Sequence, residues 1–183
     1  MCYEKDPLYK KALYISELME QFSDFVLKGA VDIQDDNIRD TWIRLAHSLR
    51  EMSSKMVDKV ISGVEEDLYD AQMEFATFIR YYSNAMMAHF TSLEIHGFKD
   101  TEYLDLFRNE IDEFRLLFVA WVDTFNPWSY VVDKWGLFNP PGVRFDDPIP
   151  EGSVYFEKYF DEIDDFGEID PDEWDELDEE DED

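Results

Sequence analysis

Carboxylates are the groups in this chain with chemistry to offer: 45 Asp and Glu stand against 16 Lys and Arg, three His and one Cys in 183 residues. Hard oxygen ligands of this kind suit Mg²⁺, which is commonly held through one or two carboxylates. Two stretches have the density, Glu65-Glu66 with Asp70, and Glu110-Ile111-Asp112-Glu113. His89 and His96 stand seven apart, roughly on one helical face, but two histidines without a third ligand read as ordinary helix residues, and His47 lies on another segment. Cys2 has no adjacent base to activate it, and as the single cysteine it excludes an intrachain disulfide. There is no glycine-rich phosphate loop, no serine-hydrolase motif and no Glu-x-x-His repeat of the di-iron kind. No cofactor is expected.

The acidic pairs resemble those that all-helical, Mg²⁺-dependent nucleotide pyrophosphatases place on adjacent helices, and that resemblance implies a nucleotide hydrolase. Their order and spacing depart from the two-part pattern of that family. Hydrolysis therefore stands as the alternative from another class, and the carboxylates are read first as a means of recognition.

Their distribution supports this. Asp161 to Asp183 holds 16 acidic residues and no Lys or Arg, more than half of a net charge of −29. Residues 1–160 still carry 29 acidic and 16 basic side chains, a net of −13. Charge on this scale opposes compaction and serves solubility, steering or engagement of a positive surface. Salt adaptation is the rival explanation, but the many aromatic, Ile and Met residues and the nine lysines favour an ordinary core with targeted charge. Within the tail, Asp164, Asp165, Phe166, Asp172, Glu173, Trp174, Asp175, Glu176 and Leu177 combine carboxylates with spaced bulky apolar residues, the composition of a segment that folds onto something. The receiving surface is either the net-positive second helix of the same chain, with Arg39, Arg44, Arg50, Lys55 and Lys59, or a partner.

Four segments repeat apolar residues at helical spacing. The first runs from Leu8 to Val26 with Pro7 in its opening turn and Gly29 at its end; the second from Ile38 to Val60, capped by Asp35 or Asp36 and closed by Gly63. The third opens near Glu65 and stops at Gly97, and the fourth runs from Asp100 or Thr101 to Asn126-Pro127. Segments of about 25 residues, about 37 Å each, joined by short links, predict an all-α, up-and-down four-helix bundle over residues 1–126. Residues 127–160, rich in aromatics and proline, predict a brace packed on the bundle, with a partner surface as the alternative use of those aromatics. Residues 161–183 form the acidic tail.

On these helices Glu66, Asp70 and Glu74 stand at i, i+4, i+8, with Glu65, Glu66 and Asp67 at the expected positive N-terminus of helix three. Glu17, Glu20 and Asp24 form a similar ridge on helix one, and Glu110 and Glu113 on helix four. Such ridges present spaced negative charge on a rigid body, much as a duplex presents one charge per roughly 1.7 Å. In composition and size the chain resembles the acidic DNA-mimic inhibitors that phages and mobile elements direct at restriction or CRISPR nucleases. That likeness implies a non-catalytic protein that occupies a basic, nucleic-acid-binding surface of a nuclease or related protein.

An immunity protein or antitoxin against a basic nuclease toxin needs the same charge. The candidate partner-binding residues are Glu66, Asp70, Glu74, Glu110 and Glu113 with the tail residues named above. Direct nucleic-acid or membrane binding is disfavoured by the sign of the charge, and a homodimer stays open. No secretory leader and no run of 18 apolar residues occurs, which with the cysteine count gives a cytoplasmic expectation.

Overall fold

A computed structural model describes residues 3–148. A 3₁₀ turn at Tyr3–Lys5 leads into four α-helices, α1 (Pro7–Ala30), α2 (Asp36–Glu65), α3 (Tyr69–Ile95) and α4 (Thr101–Val122). No strand occurs among the described residues. The chain divides into two compact units between Phe145 and Asp146, and the first holds all four helices. The expected tail, 161–183, and the end of the expected brace lie outside the described residues.

The helix starts follow from their caps. Asp6 Oδ1 accepts from the Leu8 amide at 2.7 Å and from Tyr9, satisfying donors that the first turn leaves free, while Pro7 occupies a position that has no hydrogen bond to lose. Asp35 does the same for α2 through the Asn37 and Ile38 amides. Gly97, at φ +88°, stands just past the end of α3 and turns the chain out of it as a glycine can.

The boundary between helices two and three differs from expectation. α2 runs through Gly63 to Glu65, and Glu66 leaves it in extended conformation. Its Oε1 accepts from the Asp67 and Leu68 amides at 2.8 and 3.0 Å. Glu65, Glu66 and Asp67 therefore do not open α3, and Asp70 is the acidic residue of its first turn. Gly63 is required for a different reason. A Cβ there would stand 2.9 Å from two ring carbons of Trp121 and 3.2 Å from Phe75 Cβ, so its missing side chain admits an aromatic from α4 rather than stopping a helix.

One core joins all four helices. Ala12, Ile15 and Met19 of α1, Leu49, Met56 and Val60 of α2, Ile79, Met86 and Phe90 of α3, and Leu104 and Phe114 of α4 are buried. At one end, Phe22 near the end of α1 meets Phe98 in the α3–α4 connection at 5.6 Å between ring centroids and Phe107 of α4 at 5.1 Å; Phe90 stacks on Phe107 at 5.6 Å. Trp42, early in α2, packs on Phe98 at 5.3 Å and donates from Nε1 to the His96 carbonyl at 3.0 Å. At the other end, Trp121 meets Phe125 at 4.6 Å, and Phe125 meets Tyr69. The ends of α1 and α3 thus share a layer with the starts of α2 and α4, which makes sequence neighbours antiparallel. α1 and α3 pack closely on α2, while α4 lies more loosely between α1 and α3.

Gly63→Ala should destabilise the protein by about 1 kcal/mol, because displacing Trp121 outweighs the better helix propensity of alanine. Urea unfolding would read this as a lower midpoint at unchanged slope, and an unchanged or higher midpoint would refute it.

Candidate interaction surface

Most of the carboxylates in the expected helical ridges are engaged internally. On α4, Glu110 and Glu113 both reach Lys11 of α1, whose Nζ lies 2.5 Å from an oxygen of each. The side chains of Lys11 and Glu110 are only 15% and 14% exposed, so this is a staple between helices rather than a display of charge. Burial opposes the Lys11 charge, but hydrogen bonds and attraction from the two carboxylates outweigh it and hold the Lys11 pKa above its ordinary 10.5.

Arg50 of α2 likewise takes Asp24 of α1, and Arg108 of α4 grips Glu94 of α3 through two bonds of 3.0 and 2.9 Å. The i, i+4 pair Glu51–Lys55 closes at 2.6 Å, whereas Asp40 and Arg44 do not pair. With Arg39 held by Asp36 and Lys59 lying over the rings of Phe75 and Phe78, little of the expected basic face of helix two remains uncommitted.

Asp70 has a structural duty as well. Its carboxylate is half-buried and accepts from the Val131 amide at 2.9 Å, while the Tyr69 amide donates to the Ser129 carbonyl at 2.6 Å. The start of α3 thereby holds the segment that follows α4. Burial raises the Asp70 pKa despite the Val131 hydrogen bond, and the charges of Glu66 and Asp133 add to the rise. Glu66, Asp70 and Asp133 therefore share one acidic corner. Glu74, exposed on α3, has no cationic partner among the described residues, and neither have Glu17, Glu20, Asp67, Glu102 and Asp123.

The segment after α4 is organised by one side chain. Asp133 accepts from the amides of Trp135, Leu137 and Phe138 at 2.8, 2.7 and 2.9 Å. Asn139 answers from the other side, accepting the Asp133 amide at 2.7 Å and donating to its carbonyl at 2.8 Å. Gly136, at φ +72°, supplies the left-handed residue this turn needs. Desolvation works against the Asp133 charge, but the amide donors prevail and hold its pKa below the ordinary carboxylate value.

The aromatics of this stretch do not all pack as a brace. Phe125 and Val132 are buried, but Trp128 is 88% and Trp135 90% exposed, and Leu137 and Phe145 are exposed with them. The signal for the turn, an Asp followed by Gly three residues on and Asn six on, is present in the sequence. The outward direction of the indoles is not, because it depends on which amides Asp133 collects.

Loose seating of α4 leaves a groove on each side of it. One of about 230 Å³, lined by Leu18, Phe22, Phe25, Tyr103 and Leu106, separates it from α1. The other, of about 280 Å³, runs between Ile79, Ser83, Phe114, Phe118 and Val119 with Arg80 and Arg115 at its rim. His89 is hydrogen-bonded at Nε2 to Ser48 Oγ at 2.9 Å, and His96 Nδ1 to the Ser92 carbonyl at 2.7 Å. No three His, Cys, Asp or Glu side chains converge on a common metal position among the described residues. Asp164, Asp165, Phe166, Asp172, Glu173, Trp174, Asp175, Glu176 and Leu177 lie outside the described residues. No helix of the described residues is long and apolar enough to cross a membrane.

Lys11→Met should cost about 1–2 kcal/mol at neutral pH, since it leaves two adjacent carboxylates without their donor. The Lys11 pKa is raised on folding, so this contribution is complete below 10.5 and fades as pH climbs through the folded value; the gap between wild type and variant in urea midpoints should close there.

Asp133→Ala should speed hydrogen exchange of the Trp135, Leu137 and Phe138 amides while leaving the four helices protected. In the wild type the same loosening should appear on acidification, because a depressed carboxylate pKa gives stability that is present above about pH 4 and lost as pH falls through the folded value.

No protein-family model matches this chain, and it has no significant similarity to a curated protein or to a solved structure.

Proposed function

We propose that this is a non-catalytic acidic protein that binds a basic protein surface and blocks a nucleic-acid-binding site by mimicry or steric occupation. On this reading an up-and-down bundle supplies the rigid body and the brace and acidic tail extend its charged surface. The observation that carries the reading is the surplus of negative charge after internal pairing. The described residues hold 27 acidic and 15 basic side chains, the helices are stapled by Lys11, Arg50 and Arg108, and carboxylates on α1, α3 and α4 remain without a cation. A further 16 acidic residues follow in 161–183.

Charge of this kind raises association rate and selects partners, whereas slow dissociation needs apolar anchors within the charged field. Phe166, Trp174 and Leu177 supply them in the tail. A counter-defence inhibitor of the anti-CRISPR or anti-restriction type would work in this way, and an immunity protein or antitoxin against a basic nuclease would need the same surface. Mg²⁺-dependent nucleotide hydrolysis is less well supported. Glu110 and Glu113 are turned to Lys11, and Asp70 is committed to Val131.

Affinity capture from the native host with the full chain should recover a basic nucleic-acid-binding protein, released by stepwise salt. A full-length variant carrying Asp172→Asn, Glu173→Gln, Asp175→Asn and Glu176→Gln should recover less, mainly through slower association. Phe166→Ala with Trp174→Ala should instead speed dissociation. Recovery of no basic protein by any form, together with Mg²⁺-dependent release of pyrophosphate from nucleoside triphosphates, would replace this reading by the hydrolase.

A further inference from the structure

We propose that the corner of the molecule carrying Trp128 and Trp135 is a docking face for an arginine-bearing segment of a partner protein. This rests on the reading that the partner is basic, and it adds a place and a mode of contact on the helical body, apart from the tail.

Three observations converge on it. First, Trp128 and Trp135 are the most exposed aromatic side chains among the described residues, at 88% and 90%. A large apolar ring held in water gains when a partner covers it, and tryptophan is enriched among residues that dominate binding energy.

Second, the backbone that presents them is fixed beforehand. Trp135 sits on the turn gathered by Asp133 and closed by Asn139. The Trp128 amide donates to Asn126 Oδ1 at 3.1 Å, and Ser129 and Val131 are tied to Tyr69 and Asp70 at the start of α3. A partner meeting such a surface orders little new chain, so less of its contact energy is lost on binding.

Third, the surroundings select the sign of the partner. Glu65 ends α2, Glu66 and Asp67 follow in the connection beside this segment, Asp70 at the start of α3 is bonded to it, Asp133 lies in its turn and Asp123 precedes it, against the two cations Lys134 and Arg144. Indole faces attract a guanidinium through the ring quadrupole, and neighbouring carboxylates reinforce that attraction. An acidic segment or a second copy of this chain, at −29, is repelled from the same place.

The test is titration of the ¹⁵N-labelled full-length chain with octa-arginine at about 0.15 M salt, where distant surface charges are screened. The chain has five tryptophans, so five indole N–H resonances can be followed, assigned with single Trp→Phe variants. The Trp128 and Trp135 resonances should move with the binding curve, and Trp128→Ala with Trp135→Ala should weaken binding about tenfold, as loss of an anchoring aromatic does. Both side chains are almost wholly exposed, so an unchanged circular dichroism spectrum and melting temperature should confirm that the variant folds.

Binding that moves the Trp174 resonance and leaves Trp128 and Trp135 unmoved would overturn this face while leaving the basic-partner reading intact. Absence of any binding would overturn both. Equal shifts with octa-glutamate would show a merely adhesive surface and overturn the charge selection.

Discussion

Phe22 of α1, Phe90 of α3 and Phe107 of α4 pack ring on ring at one end of the helices, with Phe98 and Trp42 closing the layer from the α3–α4 connection and from α2. That contact has to hold together a body in which 27 acidic side chains face 15 basic ones. Aromatic burial is suited to the task because it does not rely on charge, while each ring removes a large apolar area from water. Deleting one buried ring of this kind typically costs about 3–5 kcal/mol, a large part of the stability of any domain of this size. The negative surface is tolerable because the layer beneath it is so apolar.

The few cations are placed where they matter to that balance. Lys11 joins α1 to α4, Arg50 joins α2 to α1, and Arg108 joins α4 to α3, so three of the four adjacent helix pairs carry a cross-helix ion pair. The fourth, α2 with α3, is closed by the Ser48–His89 hydrogen bond and by Lys59 over Phe75 and Phe78. Exposed ion pairs contribute little, but Lys11 and Glu110 are mostly buried and fix the register of the helix that packs least closely. Internal use of cations also leaves the carboxylates of the outer faces unneutralised. One allocation of charge thus joins the helices and leaves the outer faces negative.

The segment after α4 shows the opposite strategy. There the backbone is ordered by polar contacts, Asp133 and Asn139 within the turn and Asp70 from α3, and the apolar side chains are left outside. Rigid backbone with exposed indoles is costly in water unless a partner covers it. It is also the arrangement in which acidic and aromatic groups can be offered together.

Helix number, approximate length and core face were legible in the chain, because apolar spacing at 3.6 residues and caps such as Asp35 are local. Leu8, Ile15, Met19, Leu49, Met56, Phe90, Leu104 and Phe114 are buried as their periodicity requires. Gly63 misled, since a glycine that ends a helix and one that admits a neighbouring ring look alike until Trp121 is placed against it. The same limit applied to the carboxylates. Their number and their ridges were fixed by sequence, but whether Glu110 meets solvent or Lys11, and whether Asp70 is displayed or spent on Val131, depends on residues 99 and 61 positions away. Local chemistry determined which groups this protein has, and only packing between distant helices decided which of them remain free to act.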